Sequence, residues 1–294
     1  MIDCHMHFDE AMVSISGLLE SMDRFGVEKA ALIAAIQGPL EMTPLVKYGS
    51  PILRNLLFSR SSFKRKLGEK VYNDMVKDDG TVGVGGKRMD LFVQPRNDDV
   101  IEAVSKAPDR LYGWIFVNPA GTVDPVAEVE RCLEAPGMIG VKAHSFWHNY
   151  PVSMLTDVAA LCEERGLPIL IHIGTDEVGD YRLLPEKFPR LKVVYAHAGV
   201  PYQREICDYA GKRENVYVDF AGDGYLDVKI GKEAIKHAGA NKCMFGSDGP
   251  YFHAEDDRFD YNRAVDIFRG LGLSESESEM VGGRNFEEIV SGRR

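Results

Sequence analysis

LPILIHIG, residues 167–174, is an apolar run with one histidine, His172, near its C-terminal end. In an extended chain Ile169, Ile171 and Ile173 share one face, and His172 lies on the other with Leu170. A strand apolar on both faces belongs to a parallel sheet covered by helices. The same form recurs at KVVYAHAG (192–199), CMFGSDGP (243–250), GVKAH (140–144) and, at the start of the chain, MIDCHMHF (1–8). Each run carries a polar residue close to its end: His197, Asp248, Lys142 with His144, and His5 with His7.

Working outward, β-rich runs at 2–7, 29–36, 90–93, 111–118, 139–144, 168–173, 192–197, 216–220 and 242–247 read as strands. Between them lie amphipathic segments such as ISGLLESMDRFG and VSMLTDVAALCEERG, with apolar residues at three- and four-residue spacing and a terminal glycine, which read as helices. The alternation is that of βα units, and the expected fold is α/β, a distorted TIM (β/α)8 barrel. Eight strands close such a barrel. The ninth candidate is assigned to residues 38–90, a stretch too long for an ordinary connection and read as an inserted lid or interface. The whole chain, 1–294, is expected to be one domain carrying that insertion.

Composition narrows the function classes. A formal charge of −10 and a pI near 5.4 argue against a nucleic-acid footprint. The longest apolar run, AALIAAI, is far short of the ~20 residues a membrane helix needs. Five scattered cysteines, an odd number with no C-x-x-C, fit reduced thiols and a cytoplasmic location. The insertion's GVGG has no strand before it and no helix after it, so the weight falls against a phosphate cradle.

His5 and His7 point the same way from their strand, with Asp3, while Cys4 and Met6 point the other. By itself an H-x-H pair is weak, because eight histidines scattered at random would often produce one. The later strands change the balance, since parallel barrels assemble their sites at the C-terminal ends of the strands. Three or four N and O donors from separate strands, with an open position, suit a catalytic divalent ion of the zinc type.

The order H-x-H on the first strand, Lys on the fourth, His on the fifth and sixth, and G-S-D on the last resembles the amidohydrolase superfamily of metal-dependent barrels. The ending MVGGRNFEEIV is similar to that of the branch containing aminocarboxymuconate-semialdehyde decarboxylase and related aromatic-acid decarboxylases. The resemblance covers everything except residues 38–90. It implies that His5, His7, His172 and Asp248 hold one divalent metal, Zn2+ being the first choice. It also implies that Asp248 takes a proton from an activated water and that His197 polarises or protonates the substrate. Lys142 is then either an unmodified interior lysine or, if carbamylated, a bridge between two ions. His144 either lines the pocket beside it or merely ends its strand.

Trp147, in SFWHNY, and Tyr251, in GPYF, fall in loops at the catalytic end and are candidate substrate contacts. His148, His237 and His253 read as solvated, with His253 the one that could line the mouth; Asp3 and Asp219 read as supporting carboxylates. Residues 51–70 hold six basic residues and one acidic. Arg54 or Arg60 could grip a substrate carboxylate, in which case the substrate is an organic acid; otherwise the run is a solvated or subunit-contacting face. The insertion also makes a homodimer the expected assembly.

The leading expectation is a metal-dependent hydrolase acting on an amide, ester or lactone of a small molecule. The alternative is non-oxidative decarboxylation of an unsaturated or aromatic acid on the same scaffold. A metal-binding barrel without catalysis stands third.

Overall fold

The computed structural model describes residues 1–38, 43–77, 79–94, 96–251, 254–255 and 258–291. His253 lies outside them. Eight parallel strands form one sheet in sequence order: β1 (Ile2–Phe8), β2 (Lys29–Ala34), β3 (Leu111–Val117), β4 (Met138–His144), β5 (Ile169–His172), β6 (Val193–Tyr195), β7 (Val216–Phe220) and β8 (Cys243–Phe245). The sheet curls into a nearly closed TIM-like barrel, as the alternation of apolar runs and amphipathic segments requires.

Eight of the nine expected strands are these eight. The ninth, 90–93, is not a strand, because the free edge of β2 is already taken by β3, with Ala30 to Ile33 paired against Leu111 to Trp114. The segment passes beyond that edge, where the Phe92 N–H donates to the Ile36 carbonyl at 2.8 Å.

No ladder joins β1 to β8 among the described residues, and the seam closes by other means. The Asp248 N–H donates to the His5 carbonyl at 2.8 Å and the His7 N–H to the Gly249 carbonyl at 2.7 Å. Below them the buried Asp3 carboxylate accepts from the Ser247 N–H (3.0 Å), the Ser247 hydroxyl (2.5 Å) and the Tyr261 hydroxyl (3.1 Å). Burial pushes Asp3 up to about 7 against those donors. Asp3 is therefore a seam residue, and it fixes where β1 delivers its histidines.

Helices cover the outside of the barrel. Helix α1 (Ile15–Phe25) shows how local sequence sets them: the Ser14 hydroxyl caps the Gly17 N–H, Leu18 and Met22 are buried, and Gly26 ends the helix in the left-handed region at φ 71°.

The insertion contributes α2 (Pro44–Leu57), α3 (Ser62–Asn73) and a small hairpin of Val82–Val84 against Lys87–Met89. The glycine-rich stretch is this hairpin's two-residue turn, with Gly85 and Gly86 at φ 62° and 83°, values that glycine adopts without strain. Arginines on both sides hold the insertion down: Arg54 of α2 and Arg204 of the barrel's outer layer. Arg54 donates to the Asp223 carbonyl at 2.6 Å and pairs with the Asp227 carboxylate at 3.1 Å. The Arg204 guanidinium lies 4.1 Å over the Phe58 ring. On the outside of α2 and α3, Leu45, Tyr48, Ile52, Phe63, Leu67 and Val71 are exposed. Among the described residues no helix is long and apolar enough to cross a membrane. All five cysteines are buried, free thiols.

Candidate active site

Strand periodicity delivers the expected residues to one end of the barrel. His5, His7, Lys142, His144, His172 and His197 are all buried, and the Asp248 side chain keeps 25 % of its surface exposed. Register brings pairs together: His144 on β4 sits opposite His172 on β5, and their rings stack with centroids 4.1 Å apart. His197 and Asp248 lie just beyond β6 and β8 in the left-handed region, at φ 56° and 60°, an uncommon conformation for residues with a side chain.

The hydrogen bonds fix which nitrogens face the centre. His5 Nδ1 meets the Asp219 carboxylate at 2.8 Å, and His197 Nδ1 meets the Ala221 carbonyl at 2.9 Å. His7 Nδ1 lies 3.4 Å from the Ala34 carbonyl. Each of these partners accepts, so in the neutral rings the proton is assigned to Nδ1 and the lone pair to Nε2. His5 Nε2 is 3.4 Å and His7 Nε2 3.7 Å from Asp248 Oδ1.

Asp219 serves two of these groups at once. One of its oxygens takes His5 Nδ1–H; the other accepts the His197 and Ala221 N–H groups at 2.7 and 3.1 Å. A carboxylate behind an imidazole in this way fixes the tautomer and raises the basicity of a metal ligand.

Ligand atoms of His5, His197 and Asp248 all lie within 4.8 Å of one another, so these three could hold a metal ion. The donor chemistry fits a divalent cation of the zinc or manganese kind: imidazole lone pairs beside a carboxylate, with the far nitrogens pinned by acceptors. His172 is placed differently. Its Nδ1 is 3.1 Å from His197 Nε2, and its Nε2 is 2.7 Å from the hydroxyl of Tyr72, a fully buried residue of α3 stacked on Phe146.

Burial holds the imidazoles neutral. His5, His7, His144 and His172 are all pushed well below the ordinary histidine value by desolvation, with Lys142 adding to the effect, and His197 falls to about 4. Lys142 is wholly buried, 3.2 Å from His5 Nε2. Desolvation pulls it down to about 8, opposed by Asp219 and Asp248. His144 accepts the Trp147 backbone N–H on Nδ1 at 3.1 Å and lines the pocket.

The pocket above holds ≈ 700 Å³ between atoms, part of it open to solvent. His7, His144, His172, His197 and Asp248 lie at the barrel end, with Trp147, Tyr225 and Tyr251 also lining it. The insertion contributes Val46, Ser50, Leu53, Met75 and Val84. Trp147 and Tyr251, the candidate substrate contacts, both line this pocket. Arg54 and Arg60 do not line this pocket: Arg54 is spent on the loop after β7, and Arg60 is exposed. That placement gives no support to either as a carboxylate clamp. His237 pairs with Asp208 at the surface at 2.7 Å, and half-buried His148 faces the Phe92 carbonyl at 3.4 Å.

Sequence reading missed Gln37, Tyr72 and Tyr225. Gln37 was within reach, being the polar residue that follows the second strand, the same signal that picked out the others. Tyr72 carried none, because an insertion helix has no fixed relation to the barrel until it packs.

An eight-stranded parallel barrel with imidazoles and a carboxylate gathered at the C-terminal mouth belongs to the class of TIM-like barrels with a candidate metal centre. The family model described as amidohydrolase matches residues 2–289, and the chain belongs to that family. No curated protein matches it. Among solved structures it is similar to a 2,6-dihydroxybenzoate decarboxylase complexed with 2,6-dihydroxybenzoate (16% identity, 99% of this chain and 98% of that one, TM-score 0.61). It is also similar to a probable 2-pyrone-4,6-dicarboxylic acid hydrolase from Acinetobacter baumannii with citric acid bound (16%, 99% and 98%, 0.59). A third is a dihydroxybenzoic acid decarboxylase from Polaromonas, with bound manganese and the inhibitor 2-nitroresorcinol (17%, 99% and 96%, 0.56). At these identities the likeness is one of fold.

Proposed function

We propose that this protein is a metal-dependent decarboxylase of a small aromatic or unsaturated carboxylic acid. The observation that carries the reading is the pocket itself: a largely apolar chamber with aromatic side chains, closing on imidazoles and one partly exposed carboxylate. The two decarboxylases of similar fold support it, one holding a dihydroxybenzoate and the other manganese. This replaces hydrolysis as the leading expectation.

His5, His7 and Asp248 would hold a single divalent ion, Zn2+ or Mn2+, with His172 as fourth donor by family resemblance through Nδ1, its Nε2 held by the Tyr72 hydroxyl. When bound, the ion would orient the substrate and stabilise the negative charge that develops on it. The apolar walls exclude water from the ring. The bond between ring carbon and carboxylate breaks, carbon dioxide leaves, and the electron pair stays on the carbon. A proton drawn from solvent and relayed through His197 Nε2 or Asp248 completes the C–H bond. Lys142, buried beside His5, acts as an unmodified cation under the site.

Hydrolysis is the second reading, favoured by one observation: Asp248 alone of the site carboxylates reaches the pocket, where it could take a proton from water. Protein reconstituted with Zn2+ or Mn2+ should release carbon dioxide from a panel of hydroxybenzoates and muconate semialdehydes. Turnover of esters or lactones with no carbon dioxide from any acid would reverse the order of the two readings. A homodimer is proposed through the exposed apolar residues of α2 and α3; a monomer at micromolar concentration in analytical ultracentrifugation would dismiss it.

A further inference from the structure

Gln37 is fully buried beside the pocket, and neither its amide oxygen nor its amide nitrogen has a partner among the described residues. The indole Nε1–H of Trp147, on the same pocket and 9 % exposed as a residue, also lacks one. Buried polar groups in native structures are nearly always paired, so unpaired ones on residues that line a cavity mark where a ligand can supply the partner. A partner for Gln37 must both accept, from the amide NH2, and donate, to the amide oxygen; one for the indole need only accept.

Charge gives the second half of the argument. Among the described residues lining the pocket there is no lysine or arginine, and the only charged side chain is Asp248. The part of the wall contributed by the insertion is apolar apart from Ser50. A second carboxylate on the substrate would be desolvated against these residues with no cation to receive it, which costs several kcal/mol by general estimate.

We infer that the substrate is a monocarboxylate bearing an uncharged hydroxyl or comparable donor–acceptor group, and that Gln37 and the Trp147 indole read that group. The inference rests on the proposed site binding an organic acid at the histidine–carboxylate end, and it is independent of which bond is broken. It makes Gln37 a specificity residue: it discriminates among acids by a hydrogen bond made away from the reacting carboxylate.

The test is equilibrium binding by calorimetry to full-length protein loaded with Zn2+, using benzoate, the three monohydroxybenzoates and benzene-1,3-dicarboxylate. At least one hydroxybenzoate should bind tighter than benzoate by about tenfold or more, as expected where a site is built around a hydroxyl. The dicarboxylate should bind no better than benzoate. Gln37→Met, close in shape and without the amide, should abolish the hydroxyl preference while changing benzoate affinity less than about threefold. Trp147→Phe should reduce the preference in part. Equal affinity for all the acids, an unchanged preference in both variants, tightest binding of the dicarboxylate, or no binding of any acid would each overturn the inference. Carbon dioxide release is scored separately. The expected binding pattern without carbon dioxide release would sink the decarboxylase reading alone.

Discussion

The hydroxyl of Tyr72, on an insertion helix, stands 2.7 Å from Nε2 of His172, on the fifth barrel strand. Exactly one hundred positions separate the two residues, so the contact exists only because the insertion folds down onto the barrel mouth. The hydroxyl holds Nε2, and the other ring nitrogen, Nδ1, is turned toward the candidate centre, 3.1 Å from His197 Nε2.

Tyr72→Phe should therefore lower both stability and metal affinity. Metal-free protein loses the hydrogen bond and leaves a buried acceptor unpaired, a loss of about 1–2 kcal/mol in urea unfolding. The stacking on Phe146 survives in the variant. Affinity for Zn2+ should fall several-fold in competition titration, because the ring whose Nδ1 faces the centre loses the partner that orients it. Unchanged affinity would mean that the Tyr72 hydroxyl does not orient His172 toward a metal.

Asp219→Asn tests the support behind His5. The carboxylate that pins His5 Nδ1 at 2.8 Å becomes a neutral amide, and metal affinity should fall about 10–100-fold. The readout is a chelator-buffered metal titration. A change of less than twofold would show that Asp219 serves the fold and not the centre.

Gly222 sits at φ 74°, where a Cβ would lie 2.9 Å from His197 Nδ1 and 3.0 Å from Asp248 Oδ2. Gly222→Ala should cost about 1–2 kcal/mol for the left-handed backbone alone. It should also displace both groups and lower turnover at least tenfold. Gly224→Ala meets nothing within 4 Å and should leave stability within about 0.5 kcal/mol of wild type.

Acid should destabilise the metal-free protein through its buried histidines, and His148, which stands apart from the proposed ligands, isolates one share. Burial lowers it to about 4, so between about 6.5 and 4 the unfolded chain takes up a proton that the native protein refuses. Stability contributed by neutral His148 is present above about pH 6.5 and lost as pH falls through that window. Urea midpoints at pH 7.5 and 5 should differ less in His148→Gln than in wild type, by the equivalent of about 1–2 kcal/mol. Equal pH dependence in the two proteins would contradict the assignment.

The barrel was legible in the chain because strand alternation and βα spacing are local properties. Ile169, Ile171 and Ile173 against His172, or His5 and His7 against Cys4 and Met6, announce their faces whatever surrounds them. The rule that marked His172 and Asp248 also reaches Gln37 when applied to the second strand. Residues 90–93 show its limit, since pairing is a competition for edges and β3 already held the one in question.

What no local pattern contains is the meeting of distant parts. The sequence by itself determined a parallel α/β barrel with histidines and an aspartate facing its C-terminal mouth, because side-chain direction in a strand depends only on parity. Tertiary structure decided that Arg54 fastens the insertion while Tyr72 enters the site. It also decided that Asp219 orients His5, and that Gln37 is left without a partner beside the pocket. Those outcomes depend on packing and hydrogen-bond competition between segments brought together only by the nearly closed barrel and the insertion lying across it.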